Sequence, residues 1–138
     1  MSLFSCAGNR PRHLGVKDGL LAACPARPNC VVSDATDSAH GIPALGLAVA
    51  PIDAWSVLPA LLESLPRVHI VTLTEDYIHA ECRSAFFGFV DDLELHLRAQ
   101  QNIIAVRSAA RLGQSDFGVN RRRVEKLRRL LWERGVIR

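Results

Sequence analysis

Aromatic residues are scarce in this chain, 6% of 138 residues, and they do not alternate with its arginines. A binder of single-stranded nucleic acid needs rings to stack on along a basic groove, so nucleic acid is not an expected partner. No apolar run approaches the roughly eighteen residues that a membrane-crossing helix requires. Internal repeats and low-complexity tracts are missing. So are a Ser-His-Asp order, a nucleophile elbow, a glycine-rich phosphate loop and two close pairs of metal ligands. The residues therefore assign no catalytic group, no cofactor and no metal.

What is present describes one folded domain. Hydrophobic residues make up 49% and charged residues 22%, the balance of a globule with a single core. The formal charge of +3 is unevenly placed. From Val119 to Arg138 there are eight Lys/Arg against two Glu, a net +6, which leaves −3 for everything before it. Near the start, "LFSC" (Leu3 to Cys6) has the shape of a bacterial lipoprotein cleavage site, but no basic and apolar signal regions precede it. Two readings of Cys6 stand: an ordinary cysteine in a cytoplasmic chain, or a lipidation candidate beside a removed signal. Residues 1–13 read as a disordered leader and 14–138 as the domain.

Residues 1–50 are rich in Gly, Pro, Asn and Ser without a sustained period, which predicts a long irregular arm. A helix is expected over about 51–65, with Trp55, Leu58, Leu61, Leu62 and Leu65 on one stripe and Pro51 in its first turn. The period then changes to two. "RVHIVTLT", "YIHAECRS", "FGFVDDLELHLR" and "NIIAVRSAA" form a four-stranded antiparallel meander. A last helix runs from about Gly118 to Arg134, capped by Ser115 or Asp116. The fold class is two-layer α+β, with two helices on one face of the sheet.

A turn at Gln100-Gln101 pairs residues whose numbers sum to 201. Leu95 then opposes Val106, and Leu97 opposes Ile104, on the inner face; Glu94 opposes Arg107 outside. By the same alternation Ile78, Ala80, Cys82, Ser84, Phe89, Asp91 and Leu93 point to the core. Tyr77, His79, Glu81, Arg83, Val90, Asp92, Glu94, His96 and Arg98 point outward.

Three segments, "LGVKDGLLAACPARPNCV", "AFFGFVDDLELHL" and "VRSAARLGQSDFGVNRRRVEKLR", together resemble the domain-of-unknown-function 1499 family of bacteria and plastids, over Leu14 to Leu131. The resemblance implies no reaction. It does imply an exported or lipid-anchored protein, because many members look so.

Cys24 and Cys30 bracket five residues. A structural zinc site wants a second close pair, which neither Cys6 nor Cys82 supplies. A thioredoxin-like redox pair wants two intervening residues at a helix start. A disulfide closing a short loop fits better, given export, and contributes roughly 2 kcal/mol in the chain-entropy view. Cys82 reads as a buried free thiol.

Asp91 falls on the apolar face, where an unpaired carboxylate is costly, so it needs a partner among Arg107, Arg111 and the arginines of the last helix. It is either a functional acid with a shifted pKa or half of a buried ion pair, and the second reading is preferred. Asp92 and Glu94 with His79 and His96 are expected to form a solvated charge ladder rather than a metal site, so replacing Asp92 should cost little. The segment "RSAARLGQSDFGVNRRR" then crowds Arg107, Arg111, Ser115, Asp116, Asn120, Arg121 and Arg122 onto a strand end, a loop and a helix start. With fewer acids than arginines, that region is the expected binding site for an anion: a small molecule, a lipid, a glycan or a membrane surface. Two function classes follow. The preferred one is a non-catalytic module of the cell envelope that binds an anionic partner. The alternative is a hydrolase using Asp91 or Asp92 as acid/base with arginine clamps.

Overall fold

The computed structural model describes residues 8–113 and 117–138. It is α+β, with two helices and a six-stranded, mostly antiparallel sheet rather than a four-stranded one. The expected meander is β5 (Val68–Leu73), β6 (Tyr77–Arg83), β7 (Val90–Arg98) and β8 (Ile103–Ala110). The two additional strands come from the arm. β3 (Cys30–Val32) and β4 (Leu45–Gly46) both pair with the free edge of β8, giving the order β3-β8-β7-β6-β5 with β4 beside β8. Earlier in the arm, β1 (Val16–Lys17) and β2 (Leu20–Leu21) form a small separate hairpin. Strands of two or three residues show no period, which is why the sequence reads as coil there.

The register of the central hairpin matches the expectation. Glu94 pairs with Arg107, Leu95 with Val106 and Leu97 with Ile104. Helix α1 (Pro51–Ser64) buries Ala54, Trp55, Leu58, Leu61 and Leu62, and runs through Pro59. Helix α2 (Val119–Glu133) buries Asn120, Val124, Leu127 and Leu131, a stripe at helical spacing. Both stripes join the inner face of the sheet, including Ile78, Ala80, Cys82, Leu93, Leu95, Ile104 and Val106, in one core. Each such fully buried aliphatic side chain stabilises the fold by about 1.5–3 kcal/mol.

The outer face departs from the expectation. His79, Glu81, Asp92, Glu94 and Arg107 are all buried there, Asp92 at 1% exposure and Glu94 at 0%. Parity correctly assigns them to that face, but the face is not solvated. The arm lies over it, so the sheet is covered by helices on one side and by coil and hairpin on the other. Phe89, expected on the inner face, precedes the start of β7 and is exposed, because alternation does not extend into the turn. The two proposed α2 caps, Ser115 and Asp116, lie outside the described residues. The N-cap position itself is Gly118, in the left-handed region at φ 80° and with no side-chain cap bond.

Candidate functional site

Two polar clusters sit back to back across β7, and consecutive residues supply them. On the helix side Asp91 Oδ2 lies 2.8 Å from Arg123 Nη2. Arg123 Nη1 also donates to Asn120 Oδ1 at 2.7 Å and to Ser108 Oγ at 3.1 Å, and Ser108 Oγ donates to Asn120 Oδ1 at 2.6 Å. Asn120 Nδ2 in turn donates to the backbone carbonyl of Asn29 at 3.1 Å, and Asn29 Nδ2 donates to the carbonyl of Gly113 at 2.7 Å. Asn29 Oδ1 has no hydrogen-bond partner among the described residues. The three sequence segments singled out above therefore meet at one point: Asn29 from "PNC", Asp91 from "FVDD", and Asn120 with Arg123 from the start of α2. The knot ties the arm and the last helix to the sheet. Behind it lies Cys82, a free buried thiol that burial pushes up to about 11.

On the outer face the cluster is larger and ionic. Arg111 donates to both oxygens of Asp92 at 2.8 Å and also to Glu81 Oε2. His79 Nε2 is 2.7 Å from Asp92 Oδ1, and Arg10 Nη2 donates to Glu81 Oε2 at 2.8 Å. Burial raises the Asp92 and Glu81 carboxyls, but the guanidiniums, together with His79 beside Asp92, outweigh it and hold both acids below their ordinary values. Next along the face Glu94 accepts from Gly15 N–H and from the Tyr77 hydroxyl, both at 2.7 Å, and from Arg107 Nη1 at 3.5 Å. Arg107 spends its other donors on the carbonyls of Ala22 and Ala23, at 2.9 and 3.3 Å. Finally Arg98 grips Asp34 through two bonds of 2.8 and 2.7 Å, while Leu21 N–H donates to the same carboxylate at 3.0 Å. Arg10, Gly15, Leu21, Ala22, Ala23 and Asp34 all belong to the arm. The ladder is thus the fastening that closes the arm on the sheet.

His79, Glu81 and Asp92 bring one ligand atom each within 4.8 Å of one another. The residues do not fit a metal ion, because the Arg111 guanidinium already bridges the two carboxylates and supplies the cation. Between the hairpin and residues 34–37 lies a cavity of about 750 Å³, lined by Arg12, His13 and Lys17 but also by Asp18, Asp34 and Asp37. Its mixed lining has no preferred sign of charge.

The residues expected to form one anion site are distributed over the molecule. Asp92, Arg107 and Arg111 are on the outer face; Asp91 and Asn120 are in the inner knot. Arg121 donates to the carbonyls of Gly41 and Ala39 at 2.9 and 3.2 Å, and Arg122 to that of Phe117 at 2.7 Å. Ser115, Asp116 and Cys6 lie outside the described residues. The Cys24 and Cys30 sulfurs are 2.06 Å apart, at bonding distance. Sequence reading missed Asn29, Ser108 and Arg10, and placed Glu81 on the outer face without giving it a partner. One signal was available. The register sets Glu81 directly opposite Asp92, and like charges so placed are destabilising unless a cation lies between them.

No curated protein and no solved structure matches the chain. Residues 20–131 match the family described as Protein of unknown function (DUF1499), which is most of the chain. The segments that meet at the inner knot all fall inside that match, and this chain belongs to the DUF1499 family.

Proposed function

We propose that this domain is a non-catalytic binding module of the cell envelope whose partner is anionic and is met by the exposed part of the Arg107–Arg123 region. One observation carries the reading. Of the five arginines in that region, Arg107, Arg111 and Arg123 each face a carboxylate, whereas Arg121 and Arg122 reach only backbone carbonyls among the described residues. Neither meets a carboxylate among the described residues, and both are held on the first turns of a helix. Such a fixed surplus attracts anions with an affinity that falls as salt rises. The close cysteine pair and the lipoprotein-like "LFSC" support an oxidising, envelope location.

The hydrolase alternative draws less support. Asp91 and Asp92 are both engaged by arginine, and Asp92 is held ionised below the usual carboxylate range, which makes it a poor proton donor near neutral pH. The test titrates inorganic phosphate, acidic polysaccharide and anionic vesicles at low and high salt. Binding should weaken with salt and be lost in an Arg121→Ala/Arg122→Ala double variant. Binding that ignores both salt and the double substitution overturns the reading. Arg111, locked under the arm, is not a suitable probe.

A further inference from the structure

Every phenylalanine among the described residues is exposed. Phe86 is 92% exposed, Phe117 87%, Phe87 70% and Phe89 42%, while the core is filled by aliphatic side chains and Trp55. Phenylalanine is ordinarily among the most buried residue types, so four exposed rings in one small domain require a reason. They also lie at one end of it. Arg83 pairs with Val90, so Phe86, Phe87 and Phe89 occupy the turn joining β6 to β7. Rings 87 and 89 lean on each other with centroids 5.9 Å apart, leaving Phe86 standing clear. Arg111 N–H donates to the Val90 carbonyl, which sets exposed Leu112 beside that turn. The Asp91–Arg123 pair draws the start of α2 to the same strand end, and the Arg122 bond to the Phe117 carbonyl fixes Phe117 there.

We infer that this end of the domain docks on an anionic lipid surface, with Phe86, Phe87 and Phe117 entering the interface and Arg83 and Arg122 meeting the headgroup phosphates. This rests on the reading that the partner is anionic. Charge complementarity selects the occupant. Residues 83–90 and 117–122 contain no acid, and Arg83 and Arg122 are exposed at the bases of the ring-bearing turns. Rings projecting beyond cations suit a bilayer, where the apolar groups sink below the phosphates that hold the charges.

The experiment floats the full chain with vesicles of phosphatidylcholine alone and of phosphatidylcholine with phosphatidylglycerol, at low and high salt. It compares the wild type with Phe86→Ser/Phe87→Ser and with Arg83→Gln/Arg122→Gln. Both pairs are exposed, and an unchanged melting curve checks their folding. The expected result is binding to the anionic vesicles only, weakened roughly tenfold or more in each double variant. If the phenylalanine variant binds anionic vesicles as well as the wild type, the docking surface is wrong. Binding to acidic polysaccharide without binding to vesicles overturns the lipid inference and leaves the anionic partner standing. Equal binding to both vesicle types at all salt concentrations overturns the anionic partner as well.

Discussion

Asp91 and Asp92 are neighbours in β7, yet they bond to arginines on opposite faces of the sheet, Asp91 to Arg123 and Asp92 to Arg111, each at 2.8 Å. One step along a strand turns a side chain through to the other face, so the pair acts as a pin through the sheet. Asp91 holds the last helix and Asp92 the ladder beneath the arm.

The consequence for stability reverses what alternation alone suggests. The Asp92 side chain is 2% exposed and bonded to Arg111 and His79, both nearly as buried. Asp92→Ala leaves the Arg111 charge with Glu81 alone, and should cost roughly 3 kcal/mol or more. The Asp91 side chain is more exposed, at 12%, and Arg123 keeps Ser108 and Asn120 when it is gone. Asp91→Ala should therefore cost less, about 2 kcal/mol. Urea midpoints of the two variants decide the order, and a midpoint for Asp92→Ala close to wild type would mean the arm does not seal the face.

How much of this was legible in the sequence depends on length of pattern. Strands of six to nine residues carry a period, so β5 to β8 and their register could be read. The charges of the outer face could be placed but not their surroundings, because alternation of apolar and polar residues is the ordinary sign of a half-solvated strand. What covers the face is an arm whose pairing strands are two or three residues long, held by side chain to backbone bonds such as Arg107 to Ala22. Bonds of that kind leave no periodic trace. The inner knot was half visible: Asp91 announced its need for a cation, whereas Asn29 and Ser108 look like any turn or strand residue.

Acid should loosen the arm first. Arg98 holds the Asp34 carboxyl below its ordinary value, and arginine likewise outweighs burial at Glu81 and Asp92. With folded pKa values depressed below unfolded ones near 3.9 and 4.3, these groups contribute stability that is present above about pH 5. That contribution is lost as pH falls through the folded values, below about pH 4. Asp92→Asn removes one of the three, so its stability should depend less steeply on pH between about 2 and 5. Denaturation midpoints across that range measure the slope, and a slope equal to that of wild type would remove Asp92 from the account.

Cys82 should be inert until the core opens. It is 4% exposed on the helix side of the sheet, and burial raises its thiol to about 11, so little thiolate exists at neutral pH. An alkylating reagent at pH 8 should modify it only in denaturant, with the modified fraction tracking the unfolding curve. Rapid modification of the native protein would contradict the packing of α1 and α2 over β6.

The Cys24–Cys30 link should act on the arm in the folded state as well as on the unfolded chain. Cys30 is fixed in β3 against Ala109, and Cys24 follows directly on the two carbonyls that receive Arg107. The link therefore ties the strapped segment to the sheet at the point where the strap begins. Replacing both cysteines by serine should lower global stability by roughly 2 kcal/mol through the unfolded chain alone. If the link also positions the strap, amide exchange should accelerate selectively at Gly15 and Leu21, whose N–H groups donate to Glu94 and Asp34. Amides of β6 and β7 should change only by the global amount, and Cys82 should stay protected on the far face. Uniform acceleration at all of these sites would confine the effect of the disulfide to the unfolded state.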